Sequence, residues 1–203
     1  MGSFTGLDYR GTVKSMSMTE QPERGYSVAS YFGLVSCGEL AEDDRVELLD
    51  GVIVAEPPQD SAHASAVVRL DLVVRAAVAH RGVIRAQMPF IAGGFSAPEP
   101  DLAVVPGTVS DYDTRHPTAA LLIVEVAGAS LPQDRLSKQR IYAAAGCPDY
   151  WIVNLRDRCV EVYRQPDAIA CAYGSRRIRF AGDEIDLVAF AGARVRVADL
   201  LPA

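Results

Sequence analysis

Lysine is nearly missing from this chain: of its 20 basic residues, eighteen are arginine and only Lys14 and Lys138 are lysine. The basic residues are also outnumbered by 26 acidic ones, leaving a net charge of −6 and an isoelectric point near 5.1. No global positive field therefore draws the protein to nucleic acid or to an anionic membrane, and any polyanion contact has to be local. Cysteine is sparse, and Cys37, Cys147, Cys159 and Cys171 make no CxxC pair. Their spacing excludes a disulfide-stapled secreted scaffold and points to reduced, mostly buried thiols. A zinc site would need the fold to gather all four distant positions. Long apolar runs are missing too: residues 119–124 and 52–55 fall far short of the roughly 20 residues of a membrane-spanning helix. The first 25 residues lack the charged start, apolar stretch and cleavage site of a secretory signal, so the expected compartment is the cytoplasm. There is no Walker phosphate loop, dinucleotide GxGxxG, GxSxG elbow or HExxH pair, which removes the ordinary nucleotide-binding, hydrolase and zincin readings.

What is present is the composition of an ordinary folded protein, 49% hydrophobic and 23% charged over 203 residues, enough for one core. Residues 1–25 mix Gly, Ser, Met, Glu and Pro without period and read as a flexible arm, leaving 26–203 as the domain. Residues 26–35 suit a short helix, and the acidic stretch 39–44 a solvated loop. Two extended runs, 45–49 and 52–56, flank Asp50-Gly51, a dipeptide suited to a type I′ hairpin turn. Over residues 60–80 Ala66, Val67, Leu70, Val73, Val74, Ala77 and Val78 recur at helical spacing, with Asp60 or Ser61 as cap and Gly82 as stop. Strands are expected at 83–91, 102–105 and 119–126, the last so apolar that it belongs at the centre of a sheet covered on both faces. Ser130 and Pro132 signal the start of a helix running to Ala145, and Gly146 gives its left-handed stop. Short strands follow at 150–154, 160–164, 169–180, 185–188 and 194–197. Hairpin, helix, strands, helix, strands, with no internal repeat, is the order of a single α/β domain: a mixed central sheet flanked by helices, with extra C-terminal strands.

The chemistry lies in acidic residues at awkward places. Glu125 stands within Ile-Val-Glu-Val-Ala, where an unpaired ionised carboxylate would cost on the order of several kcal/mol. A strand end or a cation must compensate it. Asp101 follows Pro100, which holds the chain extended and directs the carboxylate to the edge of the sheet. Two carboxylates on neighbouring strands make half of a divalent-cation site. Lys138 is the third member, in the second turn of the helix after the Glu125 strand. A helix packed back on its strand returns that turn toward the strand's carboxyl end. In a chain that otherwise uses arginine, an interior lysine suggests the need for a compact point charge rather than a guanidinium fork. Oxygen-only donors prefer Mg²⁺ or Mn²⁺ to zinc and suit phosphodiester hydrolysis, with the lysine stabilising the transition state or orienting the attacking water.

Plainer readings stand beside these. Asp101 can be a strand-start cap, Glu125 a buried partner of an arginine, and Lys138 a solvated helix residue paired with Asp134 at i, i+4. His80 and His116 read as surface residues, and Tyr142 and Trp151 as core and positioning residues. Arg140, Arg176, Arg177 and Arg179 fit half-exposed elements, whereas Arg135, on the helix of Lys138, is better placed to touch a phosphate.

The order Pro100-Asp101, then Glu125-Val126, then Lys138 resembles the restriction-endonuclease-like PD-(D/E)XK superfamily. Within it, the stretches VELLDGVIV, PEPDLAVV, LLIVEVAG, DRLSKQRIYAAAGCPDYWIVN and VEVYR, with the isolated His63, closely resemble the Uma-two family of endonucleases. The likeness runs over residues 26–164, and Asp134, Lys138, Tyr142, Gly146, Tyr150 and Trp151 are its most specific part. It implies a restriction-endonuclease-like fold and Mg²⁺ or Mn²⁺ held by Asp101 and Glu125, with the Val126 carbonyl as a backbone ligand. It also implies catalytic roles for Lys138 and Glu47 and a supporting or substrate-contacting role for His63, with Arg135 and Tyr142 in the same outer ring. For Glu47 and His63 the bland alternatives are a hairpin residue facing water or pairing with Arg45, and a capping or surface histidine. The chain departs from the pattern at Ala127, in the usual lysine slot two residues after the glutamate; the lysine has moved onto the helix. AGAS replaces a Ser-Pro turn, and Asn154 stands where an aspartate is common.

The function expected is a divalent-metal-dependent endonuclease acting on DNA. A homodimer is expected as well, because cutting both strands usually takes two active sites. The alternative is a catalytically inactive nuclease-fold module binding nucleic acid or a protein, against which stands the mutually repelling carboxylate pair. A third possibility is another phosphoester or nucleotide hydrolase using the same site.

Overall fold

The computed structural model describes residues 5–7, 13–15, 25–41 and 44–202. Segments rich in β-branched and aromatic residues form its strands. In chain order these are β1 (Thr5–Leu7), β2 (Val13–Ser15), β3 (Val46–Leu49), β4 (Val52–Ala55), β5 (Val83–Arg85), β6 (Leu102–Val105) and β7 (Leu122–Ala127). They continue with β8 (Asp149–Asn154), β9 (Cys159–Asp167), β10 (Ala172–Phe180), β11 (Glu184–Asp186) and β12 (Arg194–Arg196). The helices are α1 (Val28–Ser36), α2 (Ser61–Val78), α3 (Leu131–Gln133), α4 (Gln139–Ala144) and α5 (Val197–Leu200), with a π-helical turn, Asp134–Lys138, between α3 and α4.

Six strands make one mixed sheet in the order β10-β9-β8-β7-β6-β5, in which β7 and β8 run parallel and the other neighbours antiparallel. A parallel pair needs a crossover on one face of the sheet, and α3, the π-turn and α4 supply it. Alternation along the strands then builds two cores. Val124, Val126, Trp151, Val153, Val160 and Val162 face α2 and the C-terminal elements. Ile123, Ala127, Tyr150, Ile152 and Tyr163 face the crossover, meeting Leu131, Ile141 and Tyr142. A smaller cluster, Tyr31, Leu40, Leu48 and Ala97, joins α1 to the β3–β4 hairpin.

That hairpin turns as expected, with Asp50 at φ 48° and Gly51 at φ 81°. Helix α2 is capped by Asp60, which accepts the His63 N–H at 2.8 Å. It ends at Ala79 in the left-handed region rather than at Gly82. Gly82 serves another purpose: a Cβ there would come within 2.9 Å of Val104 and 3.2 Å of the Val105 carbonyl, so glycine permits the close passage onto β6. The strand expected over 83–91 stops at Arg85, because Gln87 takes φ 52° and gives its N–H to the Pro100 carbonyl. Ser130 does not cap the crossover helix; its hydroxyl donates to the Asp134 carboxylate at 2.8 Å. Gly146 does stop α4, at φ 72°. His116 is half-buried, stacked on Phe32 with ring centroids 5.0 Å apart, rather than a plain surface residue.

Apart from the β1–β2 pair and residue 25, the arm expected at 1–25 lies outside the described residues, as do residues 42–43 of the acidic loop. All four cysteines are free, with Cys147 and Cys159 buried and Cys37 exposed. Among the described residues no helix is long and apolar enough to cross a membrane.

Leu70 and Leu72 lie two residues apart in α2, on opposite faces, and differ completely in exposure, at 0% and 64%. Leu70→Ala should cost about 2–5 kcal/mol in urea denaturation, from lost transfer free energy plus a cavity. Leu72→Ala should stay within about 0.5 kcal/mol.

Candidate active site

Strand alternation sends Glu125 to the crossover face while its neighbours Val124 and Val126 enter the opposite core. Its carboxylate is buried, at 3% residue exposure. Oε1 accepts the Tyr142 hydroxyl at 2.6 Å and lies 3.2 Å from Lys138 Nζ; Oε2 accepts the Asp101 N–H at 3.4 Å. Asp101 directly precedes β6, the antiparallel neighbour of β7, so it sits at a strand end inside the sheet rather than on the lateral edge expected for it. Its Oδ2 accepts the Val126 N–H at 2.8 Å; Oδ1 is 3.1 Å from His63 Nε2 and accepts Gln87 Nε2 at 3.2 Å. The capped first turn of α2 delivers His63. From the hairpin, Glu47 brings Oε2 to 3.0 Å from Lys138 Nζ and accepts the Glu99 N–H at 3.2 Å; its Oε1 accepts Gln133 Nε2 at 3.0 Å.

Lys138 ends the π-turn, which closes with the Gln139 N–H on the Asp134 carbonyl. Such wide turns frequently mark functional sites where they interrupt helices. Here the turn buries Asp134 and Lys138 and leaves Leu136 exposed. The solvated Asp134–Lys138 pair is thus replaced by a buried ammonium facing Glu47 and Glu125, with Glu56 at 3.9 Å. Nor does Glu47 pair with Arg45, which instead bridges to Glu56 at 3.2 Å.

The charges are unbalanced: Glu47, Asp101, Glu125 and Asp134 are buried carboxylates, and Lys138 is the one buried ammonium among the described residues. Burial pushes Glu125 well above the usual carboxylate range and raises Glu47, in both cases against the pull of Lys138. Burial lifts Asp134 to about 6, and burial with Glu56 and Glu47 nearby lifts Glu99 to about 7. Lys138 is held well above its ordinary value: burial works against its charge, but Glu125, Glu47 and Asp134 outweigh it. Asp101 goes the other way, since bonds from His63, Val126 and Gln87 overcome its burial and keep it ionised. Glu47, Asp101, Glu125, Asp134 and Lys138 line a cleft of about 120 Å³.

Asp101 and Glu125 are the residues that could hold a divalent cation. They face one cleft, offer only oxygen, and belong to a cluster with more negative than positive charge. Among the described residues no group of three or more His, Cys, Asp and Glu side chains forms a ready-made cage. Water and substrate oxygen would complete the shell, as suits Mg²⁺, which dehydrates reluctantly.

Glu47, His63, Asp101, Glu125, Val126 and Lys138 therefore meet at one cleft. Tyr142 is fully buried and acts on Glu125 alone, as the core residue it was read to be. Arg135 does not line the cleft; its Nε donates at 2.9 Å to Glu161, a buried carboxylate on β9. Asn154 also serves Glu161, donating at 3.1 Å, a bond that an aspartate could not make when ionised. Sequence reasoning missed Glu161, Glu56, Gln133 and Gln87, which belong to common exposed types with no local pattern. Asp134, expected as a solvated partner of Lys138 and as part of the family resemblance, is instead a buried carboxylate of the cluster.

Lys138→Met should strand Glu47 and Glu125 without their cation and destabilise the fold by about 3–5 kcal/mol at neutral pH. A carboxyl whose folded-state pKa is raised binds its proton more tightly when folded, so its stability is present at low pH and lost as pH rises through that value. The deficit of the variant should therefore shrink between about pH 8 and pH 5 in urea denaturation, whereas a deficit from lost packing alone would not change with pH.

No curated protein matches the chain. A crystal structure described as "a putative nuclease belonging to DUF820 from Anabaena variabilis ATCC 29413" has the same fold, with a TM-score of 0.65. The match covers 82% of this chain and 96% of that one at 17% identity, a likeness of fold alone. A family model described as "Putative restriction endonuclease" matches residues 32–198, and the chain belongs to that family, Uma2.

Proposed function

We propose that the protein is a divalent-metal-dependent endonuclease that hydrolyses phosphodiester bonds of DNA. Membership of Uma2 supports a nuclease. The observation that carries the finer reading is Lys138 Nζ, 3.0 Å from Glu47 and 3.2 Å from Glu125, beside the Asp101–Glu125 pair at an open cleft. A fold alone has no need to bury one ammonium among four carboxylates. A cluster with more carboxyl groups than cationic ones suits a site that receives a cation and then a phosphate.

Asp101 and Glu125 would hold Mg²⁺ or Mn²⁺, with Val126 beside them. When bound, such an ion neutralises developing charge and polarises the phosphoryl oxygen. Lys138 keeps its proton under the field of its carboxylates and can donate to a non-bridging phosphate oxygen or to the attacking water. Glu47 aims Lys138, and the Tyr142 hydroxyl fixes the Glu125 rotamer. His63 and Gln87 hold Asp101 ionised and oriented. The protein is expected to work as a homodimer in the cytoplasm, two sites being needed for a double-strand cut.

Supercoiled plasmid and single-stranded DNA, incubated with Mg²⁺ or Mn²⁺, test the reading. The wild type should nick or cut, and Asp101→Ala and Lys138→Ala should each lose about 10²–10³-fold in rate. Cutting unaffected by EDTA would overturn the metal requirement. A folded protein that binds DNA and cuts none would favour a non-catalytic module.

Metal binding has its own readout in thermal unfolding. Saturating Mn²⁺ at about 100 times its Kd should add about 2.7 kcal/mol of stability to the wild type, and the shift should vanish in Glu125→Ala. An equal shift in both proteins would remove Glu125 from the cation site.

A further inference from the structure

Two strands away from Glu125, a second acidic residue gathers cations in a different way. The register Glu125↔Ile152↔Glu161 sets Glu161 on the crossover face of the sheet, roughly 10 Å from Glu125 at about 4.8 Å per strand. Glu161 is completely buried. It accepts from Arg135 Nε at 2.9 Å and from Arg135 Nη2, from Arg176 Nε at 3.1 Å and Nη2 at 2.8 Å, from the Tyr163 hydroxyl at 2.7 Å and from Asn154 Nδ2 at 3.1 Å. Although burial opposes it, these donors hold the Glu161 carboxyl at about 2. Glu161 is thus a fixed anion that binds two guanidiniums by the same Nε/Nη2 edge.

One arginine would have sufficed to neutralise it. The second adds a positive charge whose counterpart is Asp157, which lies 3.7 Å from Arg135 at the solvent edge and is itself 55% exposed. Both guanidiniums remain open to solvent, with side-chain exposures of 35% for Arg135 and 46% for Arg176. Among the described residues neither Nη1 makes a hydrogen bond to protein. Arg176 is braced further by the Tyr163 ring, 5.7 Å from its guanidinium carbon. Two immobilised forks, each with an unbonded Nη1, match the geometry of a phosphate, and little rotamer freedom is left for binding to remove. Arg135 also leaves the same π-turn as Lys138, so the two cationic groups share one rigid element.

We infer that Arg135 and Arg176, held by Glu161, form a clamp for a backbone phosphate of the nucleic-acid strand that enters the cleft, a site which rests on the nuclease reading and extends it. The separation of roughly 10 Å from Glu125 corresponds to about three nucleotides along a strand, given an axial rise of about 3.4 Å per nucleotide in duplex DNA. In a protein of net charge −6, two exposed, fixed guanidiniums whose main counterion is buried beneath them are where a polyanion would be held.

Binding of fluorescein-labelled DNA, single-stranded and duplex, measured by anisotropy in EDTA between about 50 and 200 mM salt, tests the clamp. Arg176→Gln should reduce the slope of log affinity against log salt by about 1. Arg194→Gln, on β12 and paired with Asp186, should leave it unchanged. Arg176→Lys keeps the charge and covers the case in which the glutamine variant fails to fold; it should retain the slope but bind about fivefold more weakly, because the fork is lost. Replacing single phosphates by neutral methylphosphonates should weaken wild-type binding at one position and not weaken binding to Arg176→Gln there. A purely structural strut would lower the melting temperature of Arg176→Gln with slope and methylphosphonate pattern intact, and that result would overturn the clamp alone. Failure of the wild type to bind any nucleic acid would overturn the nuclease reading together with it.

Discussion

A single ammonium inside the protein constrains everything around it. Lys138 is 4% exposed, and a buried, unpaired lysine would surrender its proton rather than its hydration. It keeps the proton because Glu47 and Glu125 lie 3.0 and 3.2 Å away, and those carboxylates in turn depend on it. The three come from the β3–β4 hairpin, the crossover helix and the central strand β7, so one electrostatic knot joins three elements that also meet in one apolar core. Such knots are not a cheap source of stability, since desolvation consumes most of the Coulombic gain. Their persistence makes sense where the residual negative charge of Glu47, Asp101, Glu125 and Asp134 has a use.

The parallel β7–β8 pair is the architectural counterpart of that knot. Because the strands run the same way, the chain must cross one face of the sheet, and that crossing lays the π-turn over Glu125. Ala127 shows why the lysine arrives from the helix. It is fully buried in the core that includes Leu131 and Ile141, where an ammonium would meet apolar side chains. From the π-turn, Lys138 reaches the same carboxylate with its stem along the crossover. The same strand register lines Glu125 up with Glu161, so one face of the sheet carries both the cleft and its arginine-bearing neighbour.

Sequence reasoning succeeded where a signal was local. Asp50-Gly51 needs two positive φ values, and the structure has them. The apolar period of residues 61–78 survives as α2, and the lone glutamate of an apolar strand proved to be a paired group. It failed where the reason for a residue lay elsewhere in space. Gly82 looked like a helix stop and is a point of close passage onto β6. Ser130 looked like a cap and donates to a buried carboxylate. The strand beyond Arg85 broke because of a left-handed glutamine that no propensity announces. Arg135 lies on the expected helix, and what no local pattern announces is its partner Glu161, a buried carboxylate two strands from Glu125.

By itself the sequence determined the elements and the chemical types: an α/β domain, two carboxylates and an interior lysine in a fixed order, all set by near-neighbour periodicity and turn chemistry. Only the tertiary structure decided which groups share a site, because strand register, the parallel crossover and the π-turn convert separations of up to 91 residues, as between Glu47 and Lys138, into 3.0 Å. Burial then reassigns partners according to which charges can least endure being left alone.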